Sequence, residues 1–264
     1  MPTPSSSRVV IGRRRLLAAA ALLALTGCGL PPNQADEASP PHWDYEAEGP
    51  DHWAEIDRGY AVCGRGTTQS PIDLADHTPV DTAEHIDIVY GPVSALELVN
   101  TGHTVQANLP ADSKQRIVIG GREFALSQFH FHAPSEHTVD GAFADMELHL
   151  VHSDATGGLA VLAVLLAVGQ HSPFTSVLTD LPHTGDTRAL GPVDLRTFLP
   201  ADLTQFRYTG SLTTPPCTEG VAWTVLRNRV TVGADEVARF RALFPHNNRP
   251  AQPLNGRPVD LTGG

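Results

Sequence analysis

The spacing of turn residues is the feature that most constrains the fold of this chain. Turn signals recur roughly every 8–15 residues, and the stretches between them are rich in Val, Ile, Leu, Phe and Thr. Short apolar segments at this spacing predict a fold made mainly of β-strands. The predicted strands are HIDIVY, ALELVN, HTVQANL, QRIVIG, FALSQFHFH, DMELHLVH, LAVLAVLLAV and GVAWTVL.

Helical patterns are scarce. The best is ADEVARFRAL at 234–243, and SPFTSVLTDL at 172–181 is weaker. The apolar run at 159–168 is bounded by glycines and is too short to cross a bilayer, so we interpret it as a central strand buried on both faces. No long linker, internal repeat or low-complexity run follows residue 41. Residues 42–262 are therefore predicted to form one domain.

The N-terminal residues have the composition of a targeting segment. A basic stretch precedes ten apolar residues and then small residues, as in an export signal. The run LTGC at 25–28 resembles a bacterial lipoprotein box, in which cleavage leaves Cys28 as a lipid-bearing first residue. We predict a signal peptide over 1–27, a lipid anchor at Cys28, a flexible tether over 28–41, and a location at the cell envelope, facing the periplasm or the exterior. An ordinary secretory signal with an unmodified Cys28 is the alternative.

The charge of the chain argues against polyanionic partners. The formal net charge is −11, and the basic residues Arg8, Arg13, Arg14 and Arg15 precede residue 28, where no Asp or Glu occurs. The remaining residues therefore carry 14 basic against 29 acidic side chains. So acidic a domain argues against nucleic acid or an anionic membrane surface as a partner. We expect contact with a membrane only through the lipid anchor.

Two cysteines besides Cys28 are present, and export places them in an oxidising compartment. Cys63 and Cys217 are predicted to form a disulfide. The loop that they close, about 155 residues long, gives about 5 kcal/mol of stabilisation as an upper figure in the chain-entropy model. Two unrelated buried thiols are the alternative.

The segment QFHFH at 128–132 places two imidazoles one residue apart. Residues two apart in a strand project from the same face. Gln128, His130 and His132 are therefore expected together, while Phe129 and Phe131 pack on the opposite face. For H-x-H alone, two hydrogen-bonded core histidines are the alternative.

The segment MELHLV at 146–151 repeats the pattern with Glu147, His149 and Val151. Antiparallel pairing of the two segments would bring His149 towards the first two histidines. Three neutral imidazoles suit Zn²⁺ and leave one tetrahedral position free, which indicates catalysis. Gln128 and Glu147 each stand two residues before a histidine on its own face, where they can hold the second nitrogen of a metal-bound imidazole.

Together with SEHTVDG, ELHLVH and GSLTTPPCTEGVAW, the segment QFHFH makes the sequence resemble the alpha-class carbonic anhydrases. The match extends through HWDYEAEGPDHW, QSPID, NTGHTVQANL and NNRPAQPLNGRPV, from His42 to Arg257. The resemblance implies a mainly β (α+β) single domain around a large, mostly antiparallel twisted sheet with a few short peripheral helices. It also implies reversible hydration of carbon dioxide to bicarbonate and a proton by a zinc-bound hydroxide.

The resemblance assigns roles to individual residues. The implied zinc ligands and their supports are His130, His132, His149, Gln128, Glu147 and the backbone carbonyl near Asn247. Thr213 accepts a hydrogen bond from the zinc hydroxide and donates its own proton to Glu136. Thr214 contributes to anion and water binding.

The resemblance also implies a route for substrate and proton. His103 in NTGHTV occupies the position of the proton shuttle, and Tyr45 and Asn100 match residues that order water beside it. The carbon dioxide pocket is apolar because the substrate carries no charge. The residues that match its lining are Val151, Val161, Leu212 and Trp223.

Two other interpretations of the pattern compete with a zinc enzyme. HFHAPSE satisfies H-x-H-x₃-E, the iron or manganese ligand set of a cupin, although the second cupin motif is absent around His149. A non-catalytic carbonic anhydrase-like binding module is the other interpretation, and the presence of three histidines and Thr213 argues against it. Metal analysis separates the three. A homodimer is compatible with the resemblance.

Overall fold

Strands dominate residues 41–75 and 86–263, which are the residues that this computed structural model describes. The predicted signal peptide, Cys28 and nearly all of the tether lie outside them. The strands are β1 (Asp73–Leu74), β2 (Ile86–Val89), β3 (Pro92–Val93), β4 (Leu96–Asn100), β5 (Val105–Asn108), β6 (Arg116–Ile119), β7 (Arg122–His132), β8 (Thr138–Val139), β9 (Ala142–Phe143), β10 (Met146–Ser153), β11 (Leu159–Val168), β12 (Thr187–Leu190), β13 (Val193–Asp194), β14 (Gln205–Ser211), β15 (Glu219–Val232) and β16 (Asp260–Thr262). The α-helices are α1 (Trp53–Ile56), α2 (Val62–Arg65), α3 (Thr175–Leu178) and α4 (Ala234–Leu243), and short 3₁₀ turns cover Arg58–Tyr60 and Leu195–Phe198.

One large sheet takes up eleven of the described strands. Its path runs β12-β4-β5-β7-β10-β11-β15-β14-β16, and β6 pairs with both β2 and the first half of β7. Neighbours along the path are antiparallel except β11 and β15, which run parallel. The prediction of a mainly β fold around a large, mostly antiparallel sheet is confirmed. Each of the eight predicted strand segments falls on a strand.

The strand β11 separates two hydrophobic cores. Residues 160–166 are at most 2% exposed, as expected for a strand flanked by β10 and β15 and covered on both faces. Its even-numbered residues from 160 to 166 belong to the larger core, and residues 161, 163 and 165 belong to the smaller one. β10 and then β7 continue the sheet on one side of β11, and both strands pack one face on the larger core.

The helices within the described residues are few and short. The prediction of a helix at 234–243 is confirmed by α4, where the carboxylate of Glu236 accepts a hydrogen bond from the N–H of Gly233 at 3.0 Å. The weaker prediction at 172–181 is reduced to the four residues of α3. The hydroxyl of Ser172 accepts the N–H of Phe174 at 3.1 Å, and the hydroxyl of Thr175 donates to the backbone oxygen of Ser172 at 3.3 Å. Such local bonds by Ser and Thr compete with helix extension.

The disulfide ties the N-terminal segment to a distant loop. Cys63 in α2 is bonded to Cys217, 154 positions later in the loop after β14. Both cysteines are buried in a small cluster with Trp53 and Tyr60. No helix within the described residues is long and apolar enough to cross a membrane.

Candidate metal centre

Three histidines converge on the face of the sheet opposite the larger core. The antiparallel register of β7 and β10 places His149 opposite His130, and Glu147 opposite His132. Their ring centroids lie 4.6–5.2 Å apart, and one nitrogen of each ring lies within 4.8 Å of the others. Phe129 is fully buried in the larger core, as the alternation of side chains in a strand requires.

Each imidazole donates one N–H to a fixed acceptor. Nδ1 of His130 lies 2.8 Å from Oε1 of Gln128, and Nδ1 of His132 lies 2.6 Å from the backbone oxygen of Asn247. Nε2 of His149 lies 2.8 Å from Oε1 of Glu147. The nitrogens left over are Nε2 of the first two histidines and Nδ1 of the third, and these form the convergent set. Such bonds fix the tautomer and the direction of a metal ligand.

The donor set fits a divalent metal ion. Nε2 of His132 is buried and has no hydrogen-bond partner within the described residues, a costly state for a polar atom unless a ligand binds it. Burial lowers the pKa of His132 to about 4, and it also lowers the pKa values of His130 and His149. The rings are therefore neutral at pH 7, as metal ligands must be. Three imidazoles without thiolate or carboxylate suit Zn²⁺ in a site with an open position.

Glu147 organises the inner side of the site. Its Oε1 accepts hydrogen bonds from His149 and from Nδ1 of His137 at 2.7 Å, and its Oε2 accepts from the backbone N–H groups of Glu136 and His137, both at 2.8 Å. Burial alone would raise its pKa, but the interactions with His137 and His149 hold the pKa of Glu147 well below its usual range. The hydroxyl of Tyr208 lies 2.7 Å from Nε2 of His137 and extends this buried network.

Glu136 lies beside the unpartnered nitrogen. Its Oε2 is 3.6 Å from Nε2 of His132 and 3.9 Å from Nδ1 of His149, and its Oε1 accepts the backbone N–H of Arg249 at 2.8 Å. Burial raises the pKa of Glu136 to about 7, against the lowering effects of His149, the N–H of Arg249 and the hydrogen bond from Thr213. Thr213 is buried and is the second residue after β14.

Comparison with known proteins shows the family to which this chain belongs. Residues 48–262 match the family model described as eukaryotic-type carbonic anhydrase. The chain belongs to this carbonic anhydrase family. It is 43% identical to a carbonic anhydrase of Klebsiella pneumoniae over 83% of this chain and 90% of that protein, and 41% identical to one of Nostoc sp. over 83% and 85%.

A solved structure in the carbonic anhydrase family has the same fold. The alpha-carbonic anhydrase from Thermovibrio ammonificans, in complex with the inhibitor sulfanilamide, superposes with a TM-score of 0.79 at 38% identity. The match covers 84% of this chain and 100% of that one.

An apolar row crosses the sheet next to the histidines. Val151 pairs with Val161, and Val161 pairs with Trp223, so the three side chains line up across β10, β11 and β15. All three belong to or pack against the smaller core, as does Leu212. The ring of Trp223 lies 5.0 Å from the ring of His149. The four predicted pocket residues therefore belong to one apolar cluster, with His149 at its edge.

His130 and His132 open onto a cleft of about 250 Å³. Its lining includes the ligand candidates His130 and His132 together with Thr214, Tyr45 and His103. His103 is half-buried and stacks on Trp43, with ring centroids 3.8 Å apart and planes 10° apart. Burial lowers the pKa of His103, nearby His42 lowers it further, and Asp44 raises it.

Asn100 does not reach this cleft. Its side chain is fully buried, with Nδ2 donating to the oxygen of Pro182 and Oδ1 accepting from the N–H of Gly102, both at 2.9 Å. The prediction that Asn100 orders water beside His103 therefore does not fit its position. Asn100 shapes the turn that carries His103, and the adjacent Thr101 lines the cleft instead.

His137 is the main residue that the sequence left without a role. It stands inside SEHTVDG, and its spacing does not indicate that its ring contacts Glu147, which belongs to β10. A group formed by His137, Glu147 and His149 also has the composition of a metal site. Because its atoms are already hydrogen-bonded to one another, this group supports the histidine triad rather than holding a second ion.

Proposed function

We propose that this chain catalyses the zinc-dependent, reversible hydration of carbon dioxide to bicarbonate and a proton. The observation that supports this most strongly is the set of three convergent imidazole nitrogens, each on a ring whose other nitrogen is held by an acceptor. Zinc, when bound there by His130, His132 and His149, supplies a water molecule with a pKa of about 7, a value established for this enzyme family, and hence a nucleophile at neutral pH.

Thr213 and Glu136 would orient a group bound at the metal site. The hydroxyl of Thr213 hydrogen-bonds to the carboxylate of Glu136, so its single proton is engaged. The oxygen of Thr213 can then act only as an acceptor towards the metal site. The site therefore favours a bound group that can donate a hydrogen bond to Thr213. That hydrogen bond also fixes the direction of the lone pair on the bound group.

The apolar row receives the substrate. Carbon dioxide has no net charge and accepts weak hydrogen bonds only, so a wall made by Val151, Val161, Leu212 and Trp223 can hold it and exclude water. The position of the row beside His149 supports this role, because an uncharged molecule held there would lie next to a metal ligand.

His103 moves the product proton to solvent. A half-buried histidine that lines the same cleft as His130 and His132 can accept a proton through water and release it outside. The lowering of its pKa by burial and by His42 makes release easier.

Stopped-flow hydration of carbon dioxide by residues 42–264, before chelation, after chelation and after zinc is returned, tests the proposal. We expect one zinc per chain, loss of activity on chelation and recovery with zinc. The family match removes the cupin interpretation. A chain that binds no metal, or that binds zinc without hydrating carbon dioxide, would support a non-catalytic binding module.

We also propose that the chain is exported and anchored at the cell envelope through a lipid on Cys28, with the domain facing the periplasm or the exterior. The sequence signals at 1–28 and the disulfide support export. Mass spectrometry of the mature N-terminus tests the anchor, because an unmodified Cys28 or cleavage elsewhere would contradict it. Sedimentation of the mature domain tests whether it forms a homodimer.

A further inference from the structure

The side chain of Asn247 lies between the metal ligands and His103. Asn247 is 2% exposed and follows α4 in the loop that leads to β16. Its backbone oxygen accepts from His132, as the family resemblance implied. Its side-chain amide makes three further hydrogen bonds that this backbone role does not need.

Two of these bonds are made to the residues on either side of His132. Nδ2 of Asn247 donates to the backbone oxygen of Phe131 at 2.9 Å, and Oδ1 accepts from the backbone N–H of Ala133 at 2.8 Å. The peptide units before and after His132 are therefore both fixed by one planar amide. With the backbone bond to Nδ1, Asn247 holds this ligand at three points.

The third bond reaches the turn that carries His103. Nδ2 of Asn247 donates its second hydrogen to the backbone oxygen of His103 at 3.1 Å. The ladder between β5 and β7 ends at the pair of Gln106 and His130, so His103 lies beyond the last paired residue. Beyond that pair, side-chain hydrogen bonds connect the two segments in place of the ladder. One is the bond from Asn247 to His103. Another is donated by the hydroxyl of Thr104 to the backbone oxygen of Phe131 at 2.6 Å.

Only a primary amide satisfies this environment fully. Two backbone oxygens require two N–H donors, and the N–H of Ala133 requires an acceptor in the same plane. An aspartate at position 247 would direct a carboxylate oxygen at two carbonyl oxygens. An alanine would remove this partner from all three backbone groups, two of which are in buried bonds.

We propose that the side chain of Asn247 is a positioning residue that sets the distance and orientation between the metal ligand His132 and the proton-accepting His103. The inference rests on the proposed function and deepens it, because it assigns the coupling of the metal site to proton release. Small displacements matter here, since misplacement of reacting groups by about 1 Å can cost about a hundredfold in rate.

The test compares Asn247→Ala with the wild-type domain and with Val237→Ala. Every substitution at 247 keeps the backbone oxygen that supports His132, so only the amide is removed. Val237 is buried in α4 and belongs to the larger core, so its truncation controls for lost stability. Asn247→Asp, with a nearly identical shape, provides a second variant if the alanine variant folds poorly.

In weak buffer we expect Asn247→Ala to lower kcat at saturating carbon dioxide by roughly tenfold or more, with kcat/KM within about threefold of wild type. Added imidazole should restore kcat, because it replaces His103 as proton acceptor. Chelator competition should show zinc affinity weaker by about tenfold, a readout independent of turnover. Val237→Ala should change none of these values.

The inference is overturned if Asn247→Ala matches Val237→Ala in all three measurements. It is also overturned if kcat and kcat/KM fall together without rescue by imidazole, the result of a general structural role. A wild-type domain that binds zinc but does not hydrate carbon dioxide contradicts the proposed function instead. In that case unchanged zinc affinity in Asn247→Ala would also remove the role of the amide at His132.

Discussion

Nε2 of His149 lies 2.8 Å from Oε1 of Glu147, and both side chains are buried. The same carboxylate accepts three more N–H groups, so Glu147→Gln places an amide donor among donors. We expect zinc affinity to fall by about 10–100-fold. Chelator competition measures it, with Asp145→Asn as a control, since Asp145 accepts an N–H from exposed Val168. Unchanged affinity would contradict the role of Glu147.

Thr213→Val removes the hydroxyl while keeping the shape of the side chain. We expect kcat/KM for carbon dioxide hydration to fall by about a hundredfold, because a preorganised hydrogen bond at the reacting atoms is lost. Zinc content should stay at one per chain. Thr209→Val, on the exposed face of β14, is the matched control and should retain activity. Equal activity in the two variants would exclude an orienting role for Thr213.

His103→Ala removes the proton acceptor without touching the metal ligands. We expect kcat in weak buffer to fall by about 10–100-fold, kcat/KM to stay near wild type, and imidazole to restore turnover. His171→Ala, an exposed histidine between β11 and α3, should behave as wild type. Parallel losses in kcat and kcat/KM would argue that His103 serves the structure of the cleft rather than proton transfer.

The double variant Cys63→Ser with Cys217→Ser opens a loop of 154 positions. We expect the free energy of unfolding in denaturant to fall by about 2–5 kcal/mol, since long loops lose the most entropy when cross-linked. Activity should fall as well, because Cys217 lies in the loop that carries Thr213. Identical unfolding curves for the variant and the oxidised wild type would rule out a stabilising role for the bond.

His152 provides a test in acid. Its Nε2 accepts the hydroxyl of Tyr90 at 2.6 Å in the larger core, and burial lowers the pKa of His152 to about 3. The unfolded chain binds this proton near pH 6.5, so the contribution to stability is complete above 6.5 and is lost as the pH falls towards 3. The loss is on the order of 5 kcal/mol.

The variant His152→Gln keeps an acceptor for Tyr90 but cannot titrate. Urea unfolding at a series of pH values should show a shallower loss of stability than wild type between pH 6.5 and 3. Parallel curves for the two proteins would mean that His152 does not titrate differently in the folded chain.

The sequence predicted the strands and the histidine triad because both depend on a local period of two. Alternation in β7 and β10 determined which side chains face the site, and an antiparallel pairing was enough to bring His149 to His130. The bond from His132 to the oxygen of Asn247, 115 positions later, came from the resemblance alone. Nothing local connects these two residues.

Other features depend on contacts that alternation does not encode. The ring of His137 meets Glu147 only because the chain between them forms the short hairpin of β8 and β9. Asn100 was assigned to the cleft, yet it turns inward, because the backbone of Gly102 and Pro182 offers a donor and an acceptor there. The parallel pairing of β11 with β15 was not anticipated either, since a buried apolar run is compatible with either direction.

The parallel pairing of β11 with β15 has a consequence for incomplete chains. β11 ends at Val168. β15, the strand that pairs with the edge of β11 opposite β10, begins only at Glu219. A fragment that ends before Glu219 would contain all three histidines, yet it would expose the most apolar strand of the sheet as an open edge. Such an edge recruits other chains, so we expect C-terminal truncations to aggregate rather than yield a small metal-binding module.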